Sequence, residues 1–125
     1  MATSNTESPG GCRCGEIRYV IHGVPSPVVV CHCPDCRRSV GAQSVAWMIL
    51  PKACFQLTGG MPKEHYSSPG VARAFCPSCG TAISWVGDEH PDRIDVTLGS
   101  LDDPQKFVPT RAVYRNHRLS WASEI

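Results

Sequence analysis

The sequence predicts an all-β fold with little helix, and three observations carry this prediction. Several short runs alternate between apolar and polar residues, which is the period of a half-buried strand. Turn-forming residues recur between these runs at about ten-residue spacing, which is typical of small all-β domains. The 125 residues include 11 glycines and 11 prolines, a composition that favours many turns. At this length the chain is expected to form one domain.

The predicted strands follow one another along most of the chain. The clearest alternation lies in EIRYVIH at 16–22 and in RIDVTLG at 93–99. The other strand patterns are VVV at 28–30, QSVAWMIL at 43–50, ACFQL at 53–57, VARAF at 71–75, TAISWV at 81–86 and TRAVY at 110–114. One helix start is predicted, because DDP at 102–104 places a capping aspartate before a proline.

The start and the charge of the chain restrict its class. Residues 1–8 are polar and are predicted to form a disordered tail, and residues 9–125 to form the single domain. The net charge of +1 gives no reason to expect a nucleic acid or an anionic membrane as partner. The sequence has neither the ~18 apolar residues of a membrane span nor the apolar core of a secretion signal. We therefore expect a cytoplasmic protein; the sequence leaves its oligomeric state open.

Seven of the eight cysteines lie in three short motifs, which are CRC at 12–14, CHCPDC at 31–36 and CPSC at 76–79. In a reducing cytosol, clustered cysteines bind metal more often than they form disulfides. Cysteines two residues apart on an extended chain cannot readily bridge each other. The seven thiols divide into a set of four and a set of three, so one predicted metal site is a ligand short.

The four-thiol set is predicted to be a closed zinc site. In CPSC, the proline presets a turn and the following glycine allows the positive φ that closes it around one ion. Cys12 and Cys14 project to the same side of an extended chain and can supply the second pair of ligands. Four thiolates complete the tetrahedron of a structural zinc. Spacing alone leaves a second pairing open, in which CPSC joins the 31–36 cluster instead.

The three-thiol set is predicted to hold a zinc with one open position. Cys31, Cys33 and Cys36 can surround one ion from a single short segment, and catalytic zinc sites have three protein ligands and a vacancy. The alternative is a second structural site that another side chain closes. The candidates for that fourth ligand are Cys54, His32, His65, His90 and His117. His32 should point away from the ion, and Cys54 has the apolar neighbours of a buried, inert thiol.

Two arginines and two tryptophans are further candidates near the three-thiol set. Arg37 and Arg38 follow it directly and could offset its negative charge or hold the carboxylate of a ligand; solvated arginines are the alternative. Trp47 and Trp85 could wall a pocket, although core packing explains them equally well.

Five segments together resemble one known family. They are GGCRCGEIRY, CHCPDCRRSVGA, LTGG, FCPSCGTAI and DVTLGSLDDP, in this order. The resemblance is to the glutathione-dependent formaldehyde-activating enzymes, the centromere-protein-V-like group, and it covers residues 9–121. It implies an Mss4-like fold of twisted antiparallel sheets stapled by zinc.

The resemblance also implies an activity and a ligand set. Cys12, Cys14, Cys76 and Cys79 would hold a structural zinc, and Cys31, Cys33 and Cys36 a catalytic zinc, which makes two Zn²⁺ per chain. The activity would be that of a carbon–sulfur lyase like S-(hydroxymethyl)glutathione synthase, with a glutathione–aldehyde adduct as the small-molecule thiol substrate. The rival interpretations are a zinc domain that binds a thiol without turnover and a structural zinc domain that binds a protein partner.

Overall fold

The computed structural model describes residues 6–123 and residue 125. Ten strands and one short helix are defined in this part of the chain. In order, they are β1 (Glu7–Gly11), β2 (Arg18–His22), β3 (Val28–Cys31), α1 (Pro34–Val40), β4 (Val45–Pro51), β5 (Phe55–Gly59), β6 (Lys63–Ser68), β7 (Val71–Phe75), β8 (Ala82–Gly87), β9 (Arg93–Thr97) and β10 (Arg111–Val113). Single 3₁₀ turns lie at Lys52–Cys54, Leu98–Ser100, Pro104–Lys106 and Arg115–His117. The predicted all-β class is confirmed.

The strands form a small and a large sheet. The small sheet has the order β1-β2-β5, and the large sheet has the order β10-β3-β4-β9-β8-β7-β6. Neighbouring strands are antiparallel except β10, which runs parallel to β3 and places Val113 opposite Cys31. The end of β10 therefore lies beside the first cysteine of the CHCPDC motif.

The large sheet packs differently on its two faces. The main core lies against the small sheet and includes the fully buried Tyr19, Ile21 and Met48. A second, smaller core contains Trp47 together with Cys31 and Cys36. Because side chains alternate along a strand, Trp47 and Met48 of β4 serve opposite faces. The cysteines of the second core thus lie on the face turned away from the small sheet.

The predicted tail over residues 1–8 is wrong at its end, because β1 begins at Glu7 and Ser8 is buried; residues 1–5 lie outside the described residues. The sequence ESPGG has no apolar alternation that would predict this strand, because the close packing at Gly10 leaves no room for a side chain. A Cβ atom on Gly10 would lie 2.5 Å from Tyr19 Oη. That hydroxyl lies 2.6 Å from Ser100 Oγ, so the strand passes over a polar contact.

Two more elements were not predicted. Strand β6, KEHYSS, is exposed along its whole length at the edge of the large sheet, so it carries no apolar alternation. Helix α1 begins inside CHCPDC, where Cys33 Sγ accepts a hydrogen bond from Cys36 N and Pro34 takes the first helical position. The predicted helix start at 102–104 is real, because Asp103 caps Gln105 N, but it leads only to a single 3₁₀ turn.

None of the described helices is long and apolar enough to span a membrane.

Candidate metal centres and the adjoining cavity

The first group of cysteines joins the two sheets. Cys12 and Cys14 lie between β1 and β2, and Cys76 and Cys79 lie between β7 and β8. Their four sulfurs lie within 4.8 Å of one another. The Cys12–Cys14 and Cys14–Cys76 sulfurs are 3.5 and 3.7 Å apart. Thiolates around a tetrahedral zinc at ~2.3 Å would be separated by about 3.8 Å, so this group fits such an ion.

The backbone around this group is arranged as in a metal-binding knuckle. Ile17 N donates to Cys12 Sγ at 3.2 Å, and Ser78 N and Cys79 N both donate to Cys76 Sγ at 3.4 Å. The Thr81 hydroxyl lies 3.2 Å from Cys79 Sγ. Hydrogen bonds from that hydroxyl and from the Thr81 backbone lower the pKa of Cys79 to about 5. All of these donors favour the thiolate, which is the form that binds metal.

The second group gathers three cysteines from one short segment. Cys31 ends β3, Cys33 caps α1, and Cys36 lies in the first turn of that helix. Their sulfurs also lie within 4.8 Å of one another. Within the described residues, this set contains no fourth thiol, imidazole or carboxylate. The two groups are separate, so CPSC belongs with CRC and not with CHCPDC.

The candidates for a fourth ligand lie elsewhere. Cys54 belongs to the Lys52–Cys54 turn and packs against the main core, on the other side of the large sheet. His32 is fully buried, and neither ring nitrogen has a hydrogen-bond partner among the described residues. Burial lowers its pKa. His65, His90 and His117 do not belong to the group either.

A cavity of about 300 Å³ opens beside the second group, and all three cysteines line it. We call it the thiol cavity. Trp47 and Trp85, for which the sequence left two interpretations, both line it as well. Its wall also includes Tyr114, which directly follows β10. The group is thus exposed to a partly apolar, walled space of the kind that binds small ligands.

Two arginines that the sequence analysis missed lie in this wall. Arg73 Nη2 is 3.8 Å from Cys36 Sγ, and Arg93 makes two contacts, of 2.9 and 3.2 Å, with the carboxylate of Asp95. Arg37 and Arg38 lie on α1 and are not among the residues that line the cavity. In VARAF, alternation places Arg73 on the same face as the apolar Val71 and Phe75, which is unusual for a charged side chain. In RIDVT, Arg93 lies on the face opposite Ile94 and Val96, so the sequence pattern does not point to it.

The pKa values of Cys36 and Cys31 are shifted in opposite directions. Hydrogen bonds from Cys31, Cys33 and Arg73 lower the pKa of Cys36 to about 5. The hydrogen bond with Cys36, together with burial, raises the pKa of Cys31. The Arg73 guanidinium, whose Nη2 is 3.8 Å from Cys36 Sγ, favours the negatively charged form of Cys36. Such a neighbouring cation stabilises a thiolate.

Residues 7–117 match the sequence pattern of the family described as glutathione-dependent formaldehyde-activating enzyme. The chain belongs to this family. A crystal structure of a Rhodobacter sphaeroides protein is similar in fold, with a TM-score of 0.66 and 19% sequence identity. The similarity covers 81% of this chain and 97% of that one. No protein among the curated sequences matched the chain. Membership in the family associates the chain with glutathione-linked aldehyde chemistry, and the cysteine groups are suited to hold metal.

Proposed function

We propose that this protein is a zinc-dependent carbon–sulfur lyase that acts on a glutathione–aldehyde adduct such as S-hydroxymethylglutathione. Membership in the family supports the substrate class. The observation that carries the proposal is the position of the second cysteine group. Three thiols without a fourth donor among the described residues line a cavity large enough for part of a thiol ligand. This is the ligand count of a catalytic zinc site.

In this proposal the two groups have different roles. Cys12, Cys14, Cys76 and Cys79 would hold a structural zinc that ties the small sheet to the large one. Cys31, Cys33 and Cys36 would hold a second zinc at the cavity. When bound there, zinc would supply a Lewis acid that lowers the pKa of a thiol ligand.

The reaction is a reversible addition. In the forward direction, the sulfur of glutathione forms a bond to the aldehyde carbon, the carbonyl π bond opens, and the thiol proton ends on the new hydroxyl oxygen. Cleavage reverses each of these changes. Trp47 and Trp85 would exclude water from the reacting atoms, and the second cysteine group would hold the zinc that stabilises negative charge on sulfur. The protein therefore contributes position and electrostatics.

Rate measurements against the uncatalysed background test this proposal. NMR exchange spectroscopy on mixtures of glutathione and formaldehyde measures how fast the adduct forms and breaks. We expect the zinc-loaded protein to accelerate this exchange and Cys33→Ser to abolish the acceleration. Serine still caps a helix but is a poor zinc ligand, so α1 should survive. Cys54→Ser is the matched control and should behave as wild type.

Two results would contradict the proposal. One is a Cys33→Ser variant with unchanged zinc content and unchanged exchange. The other is a wild-type protein that binds glutathione without accelerating exchange, which would identify a thiol-binding module instead.

A further inference from the structure

The thiol cavity adjoins a second, larger depression. This depression has a volume of about 620 Å³, and we call it the arm groove. Trp47 and Arg73 line both spaces. From this junction the arm groove extends to Lys63 and His65 on β6. A ligand with its sulfur in the thiol cavity could therefore extend past Arg73 into the groove.

The pairing of β6 with β7 places basic side chains together. His65 lies directly opposite Arg73 in the register, and Lys63 lies two residues before His65. Residues two apart on a strand share a face, so all three basic side chains project to the same side. Glu64 also borders the groove, but alternation along β6 directs its side chain to the other face of the sheet from Lys63 and His65. Arg73 thus contributes a positive charge at the junction with the thiol cavity, and Lys63 contributes another along the groove.

The Arg73 guanidinium has no carboxylate partner among the described residues. None of the ion pairs among the described residues includes Arg73, whereas Arg93 is bound to Asp95. Arg73 Nε is buried without a hydrogen-bond partner in that same part of the chain. The only side-chain hydrogen bond of Arg73 there joins Nη2 to Cys36 Sγ at 3.8 Å. A buried donor without a partner is costly, and a planar guanidinium is suited to bind a carboxylate through two parallel hydrogen bonds.

We propose that Arg73 binds a carboxylate of the thiol substrate, and that Lys63 and His65 attract a further anionic group in the arm groove. These contacts would make Arg73 the residue that selects a thiol with carboxylates on extended arms over a small neutral thiol. This inference rests on the proposed function, because it places the substrate at the same site. It assigns carboxylate recognition to β7 instead of to Arg37 and Arg38 on α1.

Calorimetric titration of the zinc-loaded protein with two ligands tests the inference. S-methylglutathione has the carboxylates but no free thiol, and 2-mercaptoethanol has the thiol but no charge. We expect Arg73→Gln to lower the affinity for S-methylglutathione at least about tenfold, which is the effect expected from the loss of a charged hydrogen bond. The affinity for 2-mercaptoethanol should change by less than about twofold. Arg73→Lys keeps the charge but loses the planar guanidinium that can make two parallel hydrogen bonds. Its affinity for S-methylglutathione should therefore lie between those of wild type and Arg73→Gln.

Further variants locate the contact along the groove. Lys63→Gln should lower the affinity for S-methylglutathione a few-fold. Lys52→Gln makes the same change at an exposed lysine outside the thiol cavity and the arm groove, and it should leave this affinity unchanged. The inference is overturned if wild type fails to bind S-methylglutathione or if Arg73→Gln binds it normally. It is also overturned if Arg38→Gln, and not Arg73→Gln, loses this affinity.

The test separates this inference from the proposed function. Loss of zinc in Arg73→Gln, or equal weakening of 2-mercaptoethanol, would show that Arg73 serves the cysteine group and would overturn the inference. If wild type does not accelerate adduct exchange, the lyase proposal fails. Binding of S-methylglutathione that depends on Arg73 would support the inference even then.

Discussion

Tyr114 shows at the scale of one residue how the fold prepares the cavity. It has a φ of 55°, and it is the only residue other than glycine with a positive φ in the described part of the chain. This left-handed conformation costs an L-residue with a Cβ about 1–2 kcal/mol. The residue is 61% exposed and lines the thiol cavity. Strain of this kind concentrates at functional sites.

Tyr114→Asn tests whether this strain serves ligand binding. Asparagine tolerates the left-handed region, and little buried surface is lost with an exposed ring. We expect the free energy of unfolding to stay the same or rise by up to ~1 kcal/mol, while the affinity for glutathione falls. Chemical denaturation and calorimetry measure the two quantities. A loss of stability of more than ~1 kcal/mol would show that Tyr114 has a packing role instead.

Single residues differ in how well the sequence identifies them. The cysteines were identifiable as metal ligands because they are clustered, although spacing alone left open which motifs share an ion. The role of Arg73 was not identifiable. Alternation in VARAF shows that Arg73 shares a face with Val71 and Phe75, but it does not show what that face contacts. Only the pairing with His65 and the proximity to Cys36 give it a site.

Helix α1 positions two cysteines of the second group, and the helix is bounded by a capping residue at each end. It has seven residues, with Cys33 as its N-cap and Gly41 as its C-cap. So short a helix has little stability of its own, and its first turn is also part of the candidate metal site. The cysteine spacing of CHCPDC predicts metal ligands, but its proline at the first helical position and the glycine after the last helical turn are also ordinary helix signals.

Gly41→Ala tests how much the C-cap of α1 contributes to the free energy of unfolding. Gly41 has a φ of 73°, and an added Cβ would meet nothing within 4 Å, so the change tests backbone conformation alone. We expect a loss of about 1 kcal/mol in the free energy of unfolding. Gly99→Ala is the matched control, because its Cβ would also be free of contacts but no positive φ is required there. Equal effects of the two changes in chemical denaturation would contradict this explanation.

At the scale of the whole molecule, the two cysteine groups have different relations to the fold. The first connects segments 62 residues or more apart in sequence, such as Cys14 and Cys76, and lies where the small and large sheets meet. The second is confined to residues 31–36 and lies beside a cavity. The sequence predicted the β-class, most strands and the family. It could not predict the cavity or the arm groove, because both depend on the order of strands in the large sheet.

The central claim is that one metal site is closed by four thiols and the other is held by three. Elemental analysis of zinc per chain, on protein purified without chelators, tests it most directly. We expect two zinc ions in wild type, one in Cys36→Ala and two in Cys54→Ala. One zinc ion in all three proteins, or a loss of zinc in Cys54→Ala equal to that in Cys36→Ala, would contradict the account.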